Sequence, residues 1–207
     1  MEPLLIDFPT ELTTDRLALR QPGPGDGAVI FPAVAASLTE LKRWLPWAKD
    51  GYAVTDAEVW CRRAAAEGMA RRELAYLIFI TTGEHVGNLS LLRLNWAVPT
   101  GEIGYWLATP RVGRGYMAEA VAALTTMAFE MLGLARVEIR VDDRNERSWR
   151  VAVRCGYRHE GTLRCHGRAI DGSLEDTRVY AVSRRPGDSD RAGDSIRMPS
   201  ANVRRQP

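Results

Sequence analysis

The chain has 207 residues, 45% of them hydrophobic and 26% charged, with a formal net charge of +2. That length supports one domain with a sizeable core, and the composition is that of a globular chain rather than a disordered one. So small a net charge makes no electrostatic case for nucleic acid, and no apolar run approaches the ~20 residues that cross a bilayer.

In chain order, Leu12 to Arg20 reads as a first strand with Leu17 and Leu19 on one face. Pro22 to Gly25 makes a turn. A helix follows over Asp26 to Ser37, kinked or broken at Pro32. A second short helix covers Leu38 to Trp44 and stops at Leu45-Pro46-Trp47. Thr55 and Glu58 have capping-box spacing and open a helix to Arg72. Leu74 to Thr81, Val86 to Trp96 and Glu102 to Ala108 read as strands of an antiparallel meander. Gly113 and Gly115 form a loop. It leads into a helix reaching Leu132, with Met117, Ala120, Val121, Leu124, Met127, Ala128 and Met131 at helical spacing and Gly133 as its stop. Arg136 to Asp142 alternates Val137, Ile139 and Val141 as a strand does. Ser148 to Cys155 reads as a short helix. Tyr157 to Arg168 and Glu175 to Val182 are strands joined at Asp171-Gly172. Residues 1–185 are expected as one domain, and Pro186 to Pro207 as a disordered tail.

Cys61, Cys155 and Cys165 are odd in number and lack CxxC spacing; His85, His159 and His166 lack ligand spacing. The expected state is therefore reduced cysteines, with no metal. Met1 to Pro9 carries acids and no basic run, so it does not read as a secretory signal, and a cytoplasmic protein is expected.

The strand–loop–helix around Pro110 to Ala118 has a physical use. First-turn N–H groups of a helix lack partners and carry partial positive charge. Glycines let the backbone approach an anion. A pyrophosphate suits residues Gly113 to Ala118, with Arg111 and Arg114 adding charge. The loop is neither a Walker A sequence nor a dinucleotide fingerprint.

Several stretches together carry a family resemblance. They are Leu12-Thr13-Thr14-Asp15-Arg16-Leu17-Ala18-Leu19-Arg20, Trp44-Leu45-Pro46-Trp47, Glu102-Ile103-Gly104-Tyr105-Trp106-Leu107, Gly113-Arg114-Gly115-Tyr116-Met117-Ala118-Glu119-Ala120, Asn145-Glu146-Arg147-Ser148, Cys155-Gly156-Tyr157 and Glu160-Gly161. The chain from Glu11 to Arg184 resembles the GNAT superfamily of acyl-CoA N-acyltransferases, in its RimJ/RimL-like branch. The resemblance implies an α+β fold: a mixed, mostly antiparallel twisted sheet of six or seven strands with helices on both faces. Coenzyme A would enter between the strands of Glu102 to Ala108 and Arg136 to Asp142. Val112 stands where the family has Gln or Arg, and Met117 where it has a small residue, so donor binding is expected to be retuned.

The resemblance implies acetyl transfer from acetyl-CoA to a primary amine by direct attack, without a covalent enzyme intermediate. Such a reaction needs a base for the ammonium, a donor for the oxyanion and a partner for the sulfur. Glu102 is the expected base and Ser148 the sulfur partner. Trp106, Leu107, Arg111, Val112, Gly113, Arg114, Gly115, Tyr116, Met117, Ala118, Asn145 and Ser148 are expected at the donor, and Trp44, Trp47, Tyr105 and His166 at the acceptor. The acceptor expected from the resemblance is a protein N-terminus, as in ribosomal-protein acetylation, and a homodimer is consistent with it. Two other readings are an acyltransferase of small amines (amino acid, polyamine or antibiotic) and a non-catalytic acyl-CoA-binding module. A doubly wound oxidoreductase is disfavoured, because helices and strands do not alternate.

Overall fold

The computed structural model describes residues 2–184, so the expected tail lies outside the described residues. The elements are β1 (Glu11–Thr13), β2 (Leu17–Arg20), α1 (Gly27–Ala35), α2 (Leu38–Leu41), α3 (Val54–Met69), β3 (Leu74–Ile80), β4 (His85–Asn95), β5 (Thr100–Leu107), α4 (Tyr116–Glu130), β6 (Arg136–Asp142), α5 (Glu146–Arg154), β7 (Arg158–Arg168) and β8 (Leu174–Ser183). The strands form one sheet ordered β1-β2-β3-β4-β5-β6-β8-β7. Among the described residues only β5 and β6 run parallel; the other neighbours are antiparallel.

The α+β class is as expected, but the sheet has eight strands rather than six or seven. The extra strand comes from the N-terminus. Leu12 to Arg20 is a hairpin, because Thr14 N–H bonds the Leu17 carbonyl at 2.9 Å and closes a turn there. Leu12, Leu17 and Leu19 are all buried, and alternation alone does not register that turn.

The capping box expected at Thr55 and Glu58 is also corrected. α3 begins at Val54, and Asp56 accepts the Ala53 N–H at 2.9 Å. Glu58 instead reaches the N–H groups of Gly25 and Gly27, clamping α3 to the start of α1. Gly27 is required there, since a Cβ would lie 2.6 Å from the Glu58 backbone nitrogen. Helix α1 continues through Pro32 to Ala35 rather than breaking. Helix α5 starts at Glu146 rather than Ser148, with Asn145 as its cap: Asn145 Oδ1 accepts the Ser148 N–H at 3.2 Å.

Two apolar layers hold the sheet. On one face Leu124, Met127 and Val121 of α4 and Ala152 of α5 pack on Leu19, Tyr76, Ile103, Val137 and Ile139. On the other, Ile30 and Val34 of α1 and Ala57 and Cys61 of α3 pack on Leu77, with Phe79 and Trp106 at the margin. The matching face of β6 is polar, carrying Arg136, Glu138, Arg140 and Asp142, all half-buried.

Candidate active site

The parallel pair sets the site. β5 and β6 are in register only at Thr100–Glu102 against Arg136–Glu138. Beyond Glu102, β5 stays on β4 and β6 stays on β8, so the two strands part. Their facing edges then carry main-chain donors and acceptors without a ladder partner, where an extended amide-bearing ligand can pair.

At the open end of this cleft lies the glycine loop. Gly113 and Gly115 sit at φ 79° and 80°, the left-handed region that glycine enters without strain. Among the described residues, the N–H groups from Gly113 to Ala118 make no backbone bond outside their helix, and they precede Glu119, whose N–H is the first donor of the α4 ladder, to the Gly115 carbonyl at 3.1 Å. Arg16 braces the loop. Its guanidinium lies 2.5 Å from Glu119 and donates to the Arg114 carbonyl at 3.1 Å, neutralising the one acid in the first turn of α4. Thr14 holds the same carboxylate. Met117 is only 5% exposed and turns into the core, so it does not crowd the loop. Val112 is exposed.

Charge at the loop differs from expectation. Arg111, expected at the donor, is engaged here by Glu84 in a two-pronged ion pair. Arg154, at the end of α5, supplies what sequence reading missed: its Nη1 lies 3.9 Å from where a Gly115 side chain would stand. Neither Arg114 nor Arg154 has an ion pair among the described residues. Only the packing of α5 beside α4 brings Arg154 here.

Glu102 stands where β5 and β6 part. It is 9% exposed, and its Oε2 has no hydrogen-bond partner. Arg93 Nη1 is 3.1 Å away and Arg140 Nε 3.5 Å, close enough for attraction but not aligned for bonding. Burial pushes this carboxyl above its ordinary range, while Arg93 and Arg140 hold it back. Arg93 reaches it because β4 bulges after Leu92, with Arg93 at φ 49°. His166 is near enough to act on the Glu102 charge, and its Nδ1 pairs with Thr177 Oγ1 at 3.2 Å.

Ser148 lies in the first turn of α5, on the opposite side of the sheet. Its Oγ donates to the Tyr105 hydroxyl at 3.2 Å, and that hydroxyl donates to the Ser148 carbonyl at 2.9 Å. Tyr105, expected at the acceptor, still lines the cavity on the Glu102 side, while its hydroxyl is committed to Ser148. Its ring packs with the α4-side core, and burial drives its phenol well above the ordinary range. Alternation along β5 explains this: Ile103, Tyr105 and Leu107 face one way, Glu102, Gly104 and Trp106 the other.

On the Glu102 side, β4, β5, α1, α3 and the segment after α2 enclose a cavity of about 610 Å³. Trp47 anchors its aromatic wall, with Tyr52 at 5.6 Å and Trp106 at 6.0 Å between ring centroids. Trp106 thus turns its ring into this cavity rather than toward the opening between β5 and β6. Trp44 stands apart, beside a second hollow of about 480 Å³ that runs to Ile170 and Asp171 at the β7–β8 turn.

Fold and site together define an N-acyltransferase with acetyl-CoA as donor. The chain belongs to the acetyltransferase (GNAT) domain family, which matches residues 16–158. It is 30% identical over 176 residues to the Bacillus subtilis (strain 168) protein YdaF, whose name places it with the ribosomal N-acetyltransferases; the match spans 83% of this chain and 93% of that one. Mycobacterium smegmatis RimJ, solved with a CoA disulfide, superposes with a TM-score of 0.76 at 28% identity, covering 88% of this chain and 90% of that one. RimL, a ribosomal L7/L12 α-N-protein acetyltransferase solved with coenzyme A, has the same fold, with a TM-score of 0.78 at 22% identity over 84% of this chain and 97% of that one. Among the described residues no helix is long and apolar enough to cross a membrane.

Proposed function

We propose that the chain acetylates the N-terminal amine of a protein. One observation carries the reading: a nine-tenths-buried carboxylate, Glu102, stands where β5 and β6 part, on the face opposite Ser148, with its Oε2 ion-paired to Arg93 and Arg140 but free of any hydrogen bond. Acetyl-CoA supplies the activated acyl group. The N–H groups of Gly113 to Ala118 hold its pyrophosphate, with Arg114 and Arg154 adding charge. The opened edge of β5 near Trp106 and Leu107 offers N–H groups for the pantetheine amides and for the oxygen that gains charge.

Glu102 takes the proton from the incoming ammonium, directly or through water. An amine with a pKa near ~10 is otherwise protonated at neutral pH and cannot attack. Ser148 turns its hydroxyl proton from Tyr105 to the departing sulfur, while Tyr105 stays anchored on the Ser148 carbonyl and so keeps the turn in place. Base and sulfur partner thus sit on opposite sides of the cleft, as attack and departure require. Asn145 caps α5 and so fixes the turn that carries Ser148. The second hollow, between Trp44 and the β7–β8 turn, is a separate surface along which the chain behind a protein N-terminus would run.

The test is CoA release with acetyl-CoA and peptides bearing free N-termini. Glu102→Gln is expected to lower kcat/KM by ~10²–10⁴-fold. Ser148→Ala is expected to lower kcat by about tenfold or more with little change in acetyl-CoA affinity. Release with small amines but not with any peptide would overturn the choice of acceptor. Acetyl-CoA binding without release to any amine would overturn catalysis itself.

A further inference from the structure

The 610 Å³ cavity is lined by four charged residues that the mechanism above does not use, Lys49, Asp56, Arg63 and Glu73. Its lining includes two acids. Asp56 is neutralised: it pairs with Lys49 at 3.2 Å and accepts the Ala53 N–H. Glu73, just before β3, is different. Its hydrogen-bond partner is the Ser90 hydroxyl, and the charge that acts on it is that of another acid, Glu67. Among the described residues no Lys or Arg forms an ion pair with it, although the structure holds many such pairs elsewhere. Arg63, on the rim, is exposed and acts on Glu67 instead.

A carboxylate more than half buried, without a cation, is costly to keep. Here it lies in a cavity walled by Trp47, Tyr52, Trp60 and Trp106. Aromatic faces and one anion are the two elements that recognise an organic cation on an apolar stem. The cavity also adjoins the reaction site. Gly104 and Leu92 line it, Leu92 is the register partner of Glu102, and Gly104 follows Glu102 on the same face. From β5 across Ser90 to β3 is two strand spacings, roughly 10 Å. The reach of the Glu73 side chain shortens that span.

We infer that this cavity takes a second, unreacted cationic group of the acceptor, a guanidinium or ammonium on an apolar stem, with Glu73 as its counter-charge and Trp47, Tyr52 and Trp106 as its walls. The inference rests on the proposed function, and it names the acceptor class: an amine that carries a further positive charge. Two sources have that chemistry, a peptide whose first residue is basic and a free diamine.

The experiment has a binding arm and a kinetic arm. In the first, hexyltrimethylammonium, which cannot be acetylated, is titrated against the full chain, and tryptophan fluorescence is followed against its neutral analogue hexanol. The cation is expected to bind roughly tenfold tighter than hexanol, and Glu73→Gln to remove that difference. Trp47→Leu, a change at a residue already 39% exposed, is expected to weaken the cation as well, and it serves if the Glu73 variant folds poorly. In the second arm, one peptide is compared with Arg or norleucine as first residue, beside 1,5-diaminopentane. A kcat/KM ratio of Arg over norleucine of about tenfold that collapses in Glu73→Gln supports the inference and assigns a peptide source. Efficient turnover of the diamine, with the same collapse, supports it and assigns the free amine. A wild-type preference for norleucine, equal loss for all acceptors in Glu73→Gln, or cation binding that ignores that substitution would overturn it. Cation binding without acetyl transfer to any acceptor would leave the cavity assignment standing and sink the proposed function instead.

Discussion

At the scale of single residues, the environment of Glu102 sets a pH dependence. Burial disfavours its ionised form, so a base at this position becomes active only above the ordinary carboxyl range. Arg93 and Arg140 oppose that shift. Arg93 belongs to a bulge rather than to the donor or acceptor contacts, so Arg93→Gln isolates the electrostatic effect. The carboxylate then loses a favourable charge and protonates more readily. The acid limb of kcat/KM is expected to move to higher pH, and the plateau at alkaline pH to stay near wild type. A limb that does not move would remove Glu102 from the role of base. Cysteine behaviour follows from burial in the same way. Burial pushes the thiols of Cys61 and Cys155 up to about 12, while Cys165 is exposed. At pH 8 a thiol reagent is expected to modify Cys165 alone in the native chain, and Cys61 and Cys155 only after denaturation.

At the scale of elements, the glycine loop and α4 separate binding from stability. Gly115→Ala forces a side chain into φ 80°, with Arg16 Nη2 at 3.5 Å. The backbone would cost about 1–2 kcal/mol to hold there. Release of that strain tilts the N–H groups, and acetyl-CoA affinity is expected to fall on the order of tenfold by calorimetry. Leu124→Ala, fully buried in mid-helix, is expected to cost about 2–5 kcal/mol in denaturant unfolding while leaving that affinity nearly unchanged. Both positions were legible in the sequence, because helical periodicity and a glycine before a helix are local signals. Elements whose ends are set by distant partners were not. Glu58 left its capping geometry to hold the start of α1, and Asn145 rather than Ser148 opened α5. Arg111 went to Glu84, from the turn between β3 and β4. Each was decided by a contact that no short window of sequence contains.

At the scale of the whole molecule, the sheet is two blocks. Strands β1 to β5 and strands β6 to β8 meet only over Thr100–Glu102, with α4 spanning the junction from one side. The sequence implied this division through the family resemblance, but it did not reveal which groups face the opening. Tyr105 and Trp106 point to opposite faces, and Arg154 arrives from the far end of α5. A donor lying in the opening would touch both blocks: the edge of β5 on one, and Ser148 and Arg154 on the other. Its binding should therefore act on the junction rather than on the loop alone. At a hundredfold excess over Kd, acetyl-CoA is expected to add about 2.7 kcal/mol to unfolding. Hydrogen exchange locates the effect. Amides of Ile103 to Leu107 and the first turn of α5 should slow, together with those of Gly113 to Ala118. A pyrophosphate-bearing fragment without the pantetheine arm should slow only the loop. Protection confined to the loop in both cases would mean that the donor does not occupy the cleft between β5 and β6, and the placement of Glu102 and Ser148 on its two sides would lose its meaning.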